Sequence, residues 1–349
     1  MSYKVLSLKW RPQTFEDVVG QDHLTKTLIN AFKKDRVAQG YILTGPRGVG
    51  KTTTARIISK TLNCSTAKNG VPCNECNSCK EIIDGRNLDV LEIDGASNRG
   101  IEEIRNLREQ IKYTPMNSRY KVFIIDEVHM LTNQAFNALL RTLEEPPSHG
   151  KFILATTDTH KVPSTIISRC QRFDFNRITL DVISKRLSLI LKAESIDIDD
   201  ISLLSISQKA DGSMRDALSL LDQVIAYSGD SIKIEDVSSI IGLIPNEIYF
   251  DFSNAIMEKD YNKMMSVIES IHSAGLSLQD ISEGLIKHYN NLLISLVEKG
   301  EDLLSGISEE TKNRYIISSN KYIDKDIIRI SKVLHDMQYS LKQVSQPII

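Results

Sequence analysis

The chain has 349 residues, enough for two or three domains, and its 41% hydrophobic and 25% charged residues are those of an ordinary globular protein with real cores. Forty-three basic against 45 acidic side chains leave a formal net charge of -2. That excludes nucleic-acid binding through overall positive charge and leaves only a local patch or an assembly for such contacts. Met1 to Pro12 contains no apolar leader segment and no run reaches membrane-spanning length, so the expectation is a cytoplasmic protein with no membrane contact. The five cysteines are then thiols or metal ligands, not a disulfide framework.

The first half alternates strands and helices. Tyr41-Ile42-Leu43 is a short apolar strand that runs into Gly45-Pro46-Arg47-Gly48-Val49-Gly50-Lys51-Thr52. This loop fits GxxxxGK[ST]. Its glycines let backbone N–H groups turn inward around a polyphosphate, Lys51 reaches the β- and γ-phosphates, and the Thr52 hydroxyl suits Mg²⁺. A helix from Thr52 to Leu62, with Thr53 in its first turn, points its positive end at the same phosphates.

Next come Cys64, Cys73, Cys76 and Cys79, in the spacing C-x8-C-x2-C-x2-C. Thiolates suit tetrahedral Zn²⁺, and the intervening Asn74, Asn77 and Ser78 are turn formers that fit a zinc knuckle. Four protein ligands leave no open position, so the expected role is structural. Cys170 stands apart and reads as a small buried hydrophobe.

Val90, Leu91 and Ile93 suggest a second strand, and Val122 to Ile125 a third. The third ends at Asp126-Glu127, where Asp126 can hold Mg²⁺ and Glu127 can orient a water against a γ-phosphate. Ala135, Phe136, Leu139, Leu140 and Leu143 make one stripe of a helix capped by Thr132 or Asn133 and stopped by Pro146-Pro147. Phe152 to Leu154 is a fourth strand, and strands separated by helices imply a parallel α/β sheet. Beyond about Phe175 the strand signals fade. Ile178–Leu191, Ser202–Ala210 and Ser213–Tyr227 read as helices, and after Gly242-Leu243-Ile244-Pro245 the stripe Met264, Val267, Ile268 and Ile271 marks another.

Several strings together are specific to a family. Ser168-Arg169-Cys170, the run Asp126-Glu127-Val128-His129-Met130-Leu131 and the run from Glu92 to Gly100 resemble the AAA+ clamp-loader ATPases, and in particular the bacterial DNA polymerase III gamma/tau family. The resemblance is strong from about Lys4 to Gly242. It implies an α/β AAA+ P-loop core with a parallel sheet over 1–178 carrying a zinc module at about 62–82, a small helical lid over 179–242 and a helical collar for oligomerisation over 243–349. Longer family members carry a further C-terminal region that binds helicase and polymerase, beyond where this sequence stops at Ile349. The site roles it implies are a base-contacting backbone at Val18 and Val19 within Trp10 to Gln21, a sensor at Thr157 after Ala155-Thr156, and a second sensor at Arg215 in Gly212 to Ala217. Arg169 would be an arginine finger acting in trans.

The implied activity is ATP hydrolysis at subunit interfaces that loads a sliding clamp on primer–template DNA, with ATP, Mg²⁺ and Zn²⁺ as ligands. No polymerase site is visible; that activity belongs to the holoenzyme. The implied partners are the delta and delta-prime subunits, further copies of this chain, the beta clamp, and DNA phosphates, for which Arg99, Arg105 and Arg141 are candidates. Three other readings fit less well. A P-loop kinase would need an acceptor site, a non-hydrolysing scaffold of the delta-prime type would have lost Lys51, and a Holliday-junction helicase lacks the cysteine insertion and Ser-Arg-Cys.

Overall fold

The apolar runs of the first half become five strands: β1 (Gly40–Thr44), β2 (Val90–Asp94), β3 (Lys121–Asp126), β4 (Gly150–Thr156) and β5 (Gln171–Asp174). They form one parallel sheet in the order β2-β3-β4-β1-β5. The computed structural model describes residues 4–229, 231–242, 244–273, 276–304 and 307–341, with His272 and Glu301 described by backbone alone. β1 and β4 are buried along their whole length, because helices cover both faces of the sheet and every position meets a core.

The two-residue period of a strand divides these side chains between two cores. Tyr41, Leu43, Val122, Ile124, Ile153 and Ala155 pack against Leu24 and Leu28 of helix Asp22–Lys33 and against Ala55, Ile57, Ile58 and Leu62 of helix Lys51–Asn63. Ile42, Phe123, Ile125, Phe152 and Leu154 face the opposite way. They meet Ile104, Leu107 and Ile111 of helix Ile101–Ile111 and Ala135, Phe136, Leu139 and Leu143 of helix Asn133–Glu144. The expected stripe of the last helix is therefore its buried face, and the Thr132 hydroxyl, not Asn133, caps it by accepting from the Ala135 N–H.

β5 was not foreseen. Its sequence, Gln-Arg-Phe-Asp, has one buried residue, Phe173, too short an apolar signal to stand out. It pairs along β1 with Leu43 opposite Phe173.

The described residues divide into two compact units, Met1–Asp197 with Ser205–Ala226, and Ile198–Leu204 with Tyr227–Ile349. In the first unit, helices Leu180–Glu194 and Met214–Ser228 follow the sheet; each was expected to within a few residues. Helix Asp200–Lys209, expected over Ser202–Ala210, lies between them in sequence. The second unit contains helices Ile234–Ile241, Asn246–Glu258, Tyr261–Ser273, Leu278–Ile294, Glu309–Ser319 and Asp324–Leu341. Its core is rich in aromatic rings: Tyr249, Phe250, Tyr289 and Tyr315 surround a buried His288. Leu243, at the expected boundary between lid and collar, lies outside the described residues. Among the described residues no helix is long and apolar enough to cross a membrane.

Candidate functional site

In a parallel sheet the carboxyl ends of the strands share one edge, and loops leaving that edge can converge. Thr44 of β1 stands beside Thr156 of β4, and Asp126 of β3 beside Asp94 of β2. The loop after β1 opens into a cavity of about 510 Å³, the size of a small-molecule site. Val18, Val19, Arg47, Gly48, Val49, Gly50, Lys51, Thr52, Thr53, Asp126, Glu127 and Arg215 all line it. Twelve of the residues singled out in the sequence thus come together around one space. Gly45 and Pro46 do not face it; their carbonyls accept from the Lys51 ammonium at 2.8 and 2.6 Å. Burial lowers the Lys51 pKa, and Glu127 and Asp126 oppose that shift.

The loop needs its glycines for distinct reasons. Gly48 has φ +76° and a Cβ there would sit 1.8 Å from the Ser213 hydroxyl, so the close approach of helix Met214–Ser228 requires a residue without a side chain. The Arg215 N–H donates to the Gly48 carbonyl at 3.3 Å, fixing the expected second sensor against the phosphate loop. Gly95 after β2 is equally constrained, since a Cβ would meet the Glu127 and Asp126 carbonyls at 2.8 and 2.9 Å.

The Thr52 hydroxyl donates to Asp126 Oδ2 at 2.6 Å. A hydroxyl and a carboxylate already in contact beside a helix N-terminus are the hard oxygen donors that suit Mg²⁺. Glu127 follows with φ 45°, a left-handed backbone rarely adopted by a residue with a side chain. That turn aims its carboxylate away from Asp126 and towards β4. There the Thr157 hydroxyl donates to Glu127 Oε2 at 2.9 Å and the Thr157 N–H at 3.2 Å. His129 Nδ1 lies 3.2 Å from the same oxygen and 3.1 Å from the Thr156 hydroxyl. Thr156 is fully buried, so the adjacent Thr157 is the threonine that reaches the acid. Thr157 touches the cavity only through Glu127.

Trp10, Arg11 and Arg186 are among the cavity residues to which the sequence assigned no role of their own. Trp10 donates from Nε1 to Glu194 at 2.7 Å and stacks under the Arg186 guanidinium at 6.0 Å. Burial lowers the Arg11 pKa, helped by the nearby Arg56 and Arg215. Nothing in the periodicity of helix Leu180–Glu194 distinguishes Arg186 from a solvated surface residue.

The four clustered cysteines converge. Their sulfurs all lie within 4.8 Å of one another, and Cys64 and Cys76 are 4.0 Å apart. Tetrahedral zinc with bonds of about 2.3 Å needs sulfurs about 3.8 Å apart, so the set fits that ion. The Thr66 hydroxyl, with the N–H groups of Cys76 and Glu75, lowers the Cys73 pKa to about 6, which favours the ligating thiolate. Burial raises that of Cys79. Cys170 is remote from this cluster and burial pushes its thiol up to about 12, as expected of a packing residue.

Arg169 is outside the cavity. It donates to Glu144 at 2.8 Å and to the Thr165 carbonyl at 2.8 Å. Asp174, five residues on, does not pair with it and accepts from Arg172 at 2.7 Å and from the Thr44 hydroxyl. The candidates for DNA phosphates are exposed: Arg99 donates to the Ala96 carbonyl, Arg105 pairs with Glu102 at 2.6 Å, and Arg141 lies on the outer side of helix Asn133–Glu144.

Comparison with known proteins agrees with this site. The family described as "DNA polymerase III, delta subunit" matches residues 20–179, and that described as "DNA polymerase III clamp loader subunit, ATPase lid domain" matches residues 182–230. The chain is 47% identical over 312 residues to DNA polymerase III subunit tau of Bacillus subtilis, covering 89% of this chain and 55% of that protein. It is 46% identical over 281 residues to DNA polymerase III subunit gamma of Buchnera aphidicola subsp. Acyrthosiphon pisum, covering 80% and 78%. The match thus spans about half of the Bacillus protein and most of the Buchnera one. In fold, the chain is similar to the Thermotoga maritima RuvB Holliday junction branch migration motor, with a TM-score of 0.51 at 18% identity over 71% of this chain and 80% of that one.

Proposed function

The chain belongs to the gamma/tau family of DNA polymerase III subunits, and we propose that it is an ATP-hydrolysing motor subunit of a cytoplasmic clamp loader. The observation that carries this reading is the Thr52–Asp126 contact at 2.6 Å at the start of the phosphate-loop helix, with Glu127 held beside it by Thr157. A kinase would need an acceptor hydroxyl where Glu127 stands ready to orient water.

ATP is the substrate. Val18, Val19 and the segment at Trp10 and Arg11 form the base side of its cavity, and Gly45 to Thr53 the phosphate side. Lys51 leaves the Gly45 and Pro46 carbonyls for the β- and γ-phosphates. Thr52 and Asp126 would hold Mg²⁺, which supplies charge neutralisation there. Glu127 orients the attacking water, Thr157 fixes Glu127, and Arg215 reaches the γ-phosphate from the lid. Cys64, Cys73, Cys76 and Cys79 would hold one structural Zn²⁺. With the lid at 179–242 and the collar at 243–349, copies of this chain assemble with the delta and delta-prime subunits.

Arg169 completes the site of a neighbouring subunit. Its pair with Glu144 is more than one-third exposed on both sides, and such pairs are worth about 0–1 kcal/mol. Release towards a γ-phosphate therefore costs little beside the gain of a planar guanidinium at the transition state. ATP-bound assemblies grip the sliding clamp and primer–template DNA, with Arg99, Arg105 and Arg141 on phosphates, and hydrolysis lets go of both.

The test is clamp loading. An assembly of this chain with delta, delta-prime and beta should leave beta on primed circular DNA in the presence of ATP and lose it when the circle is cut. Retention of beta without ATP, or none with it, contradicts the proposal.

A further inference from the structure

Lys60 is a lysine with 2% exposure, on the same helix as the phosphate-loop lysine, in a place no motif accounts for. Its ammonium donates to the Gln13 carbonyl at 2.7 Å, to Gln13 Oε1 at 2.9 Å and to Asn74 Oδ1 at 2.7 Å. All three of its hydrogens are thereby used. Burial lowers its pKa to about 8, and Cys79, Asp17 and Cys64 pull the other way. A buried cation persists only where its surroundings offset the desolvation cost, and here they include the cysteine cluster.

The three elements Lys60 joins belong to two sites. Asn74 lies inside the cysteine cluster between Cys73 and Cys76, at φ 60°, a turn that Asn tolerates. Gln13 belongs to the segment lining the cavity. Its Nε2 donates to the Arg11 carbonyl at 3.0 Å, and the N–H groups of Gln13 and Thr14 donate to Asp17 at 3.2 and 2.9 Å. Arg11, Pro12 and Asp17 all line the cavity. The helix Lys51–Asn63 spans the same gap, about 20 Å at 1.5 Å per residue. Its last residue, Asn63, is clamped on both sides of its amide by the Tyr120 backbone, at 2.9 Å each.

We propose that Lys60 ties the tetracysteine centre to the wall of the nucleotide cavity, through Asn74 on one side and Gln13 on the other, so that metal and nucleotide bind cooperatively. A metal held by Cys73 and Cys76 would fix the turn between them, which presents Asn74 Oδ1 to Lys60. Without the metal that turn is free to open, Lys60 loses Asn74 as a fixed acceptor, and the order it imposes on residues 11–17 weakens. Coupling between sites is reciprocal, so nucleotide must also retain the metal.

This inference rests on the nucleotide and zinc assignments of the proposed function, and one experiment separates the two. Zinc release from the full chain is followed with the chromogenic chelator pyridylazoresorcinol, with and without saturating ADP, in the wild type, Lys60→Met and Gln13→Ala. ADP should slow release from the wild type by roughly fivefold or more, the lower edge of ordinary allosteric coupling. Both variants should still bind ADP and zinc; Lys60→Met should lose the slowing, and Gln13→Ala, which keeps the carbonyl acceptor, should lose part of it. Gln13→Ala keeps the test available if Lys60→Met fails to fold. Any ligand stabilises the fold that binds it, so slowing that survives in both variants is that general effect and overturns the route through Lys60. An unchanged release rate in a wild type that binds both ligands overturns it as well. A wild type that binds no zinc or no ADP overturns the underlying assignment and this inference with it.

Discussion

The Thr157 hydroxyl holds Glu127 Oε2 at 2.9 Å, across the gap between the ends of β4 and β3. Glu127 is also the residue whose left-handed backbone turns it away from Asp126. On the proposed reading the two neighbouring acids have separate tasks. Glu127→Gln should bind ATP with near-normal affinity and lose hydrolysis by about 10²-fold or more. Thr157→Ala should show a smaller loss of the same kind, and Lys51→Ala should lose tight binding. Equilibrium nucleotide binding beside single-turnover phosphate release distinguishes them. Equal loss of binding in Glu127→Gln and Lys51→Ala would refute the division of roles.

The four sulfurs lie within 4.8 Å of one another and would fill a tetrahedral site, so the chain should carry one Zn²⁺ with a structural role. Elemental analysis should give one zinc per chain. Cys79→Ser, at a fully buried ligand, should lower the melting temperature by several degrees, since binding free energy at such a site is folding free energy. Metal-free wild type of unchanged thermal stability would show that the cluster is not a metal site.

Arg169 pairs with Glu144 on its own chain and does not line its own cavity; the proposed role is on a neighbour's ATP. Mixed assemblies of Arg169→Ala and Lys51→Ala chains decide the matter. A site with intact Lys51 should lose roughly 10³-fold in rate, the lower edge for arginine fingers, only when its neighbour lacks Arg169. Loss that follows the Arg169 of the same chain contradicts action in trans.

In the second unit, His288 lies between the Tyr315 hydroxyl and the Ser253 hydroxyl, both at 3.1 Å, and burial lowers its pKa to about 3. The unfolded chain takes up the proton near pH 6.5 and the folded chain does not. The stability this neutral histidine supports is thus present above pH 6.5 and is lost progressively as pH falls towards 3. Between pH 7 and pH 5 the loss is about 2 kcal/mol. Denaturant unfolding of wild type and His288→Gln at both pH values measures it as the difference between their losses. An equal pH dependence in both proteins rules out His288 as the source.

How far the sequence carried depends on whether a feature is local in the chain. The phosphate loop, the acids ending β3 and the clustered cysteines are short strings whose chemistry dictates their spacing, and they met where expected. β5 escaped because its single buried Phe173 gives no period to detect. The Lys60–Gln13 and Arg186–Trp10 contacts escaped for another reason. They join residues 47 and 176 positions apart, and each lysine or arginine looks in sequence like any solvated helix residue. The expected division into core, lid and collar rests on a run of helices alone, and its boundary at Leu243 lies outside the described residues.

The central claim is that this nucleotide site is a motor governed by assembly and DNA. Steady-state phosphate release by the chain combined with delta and delta-prime, with and without beta and primed DNA, tests it most directly. The account predicts a low basal rate that rises at least tenfold when beta and primed DNA are both present, and no rise in assemblies carrying Lys51→Ala or Glu127→Gln. A wild-type rate indifferent to beta and DNA, or a rise that survives Glu127→Gln, would contradict it.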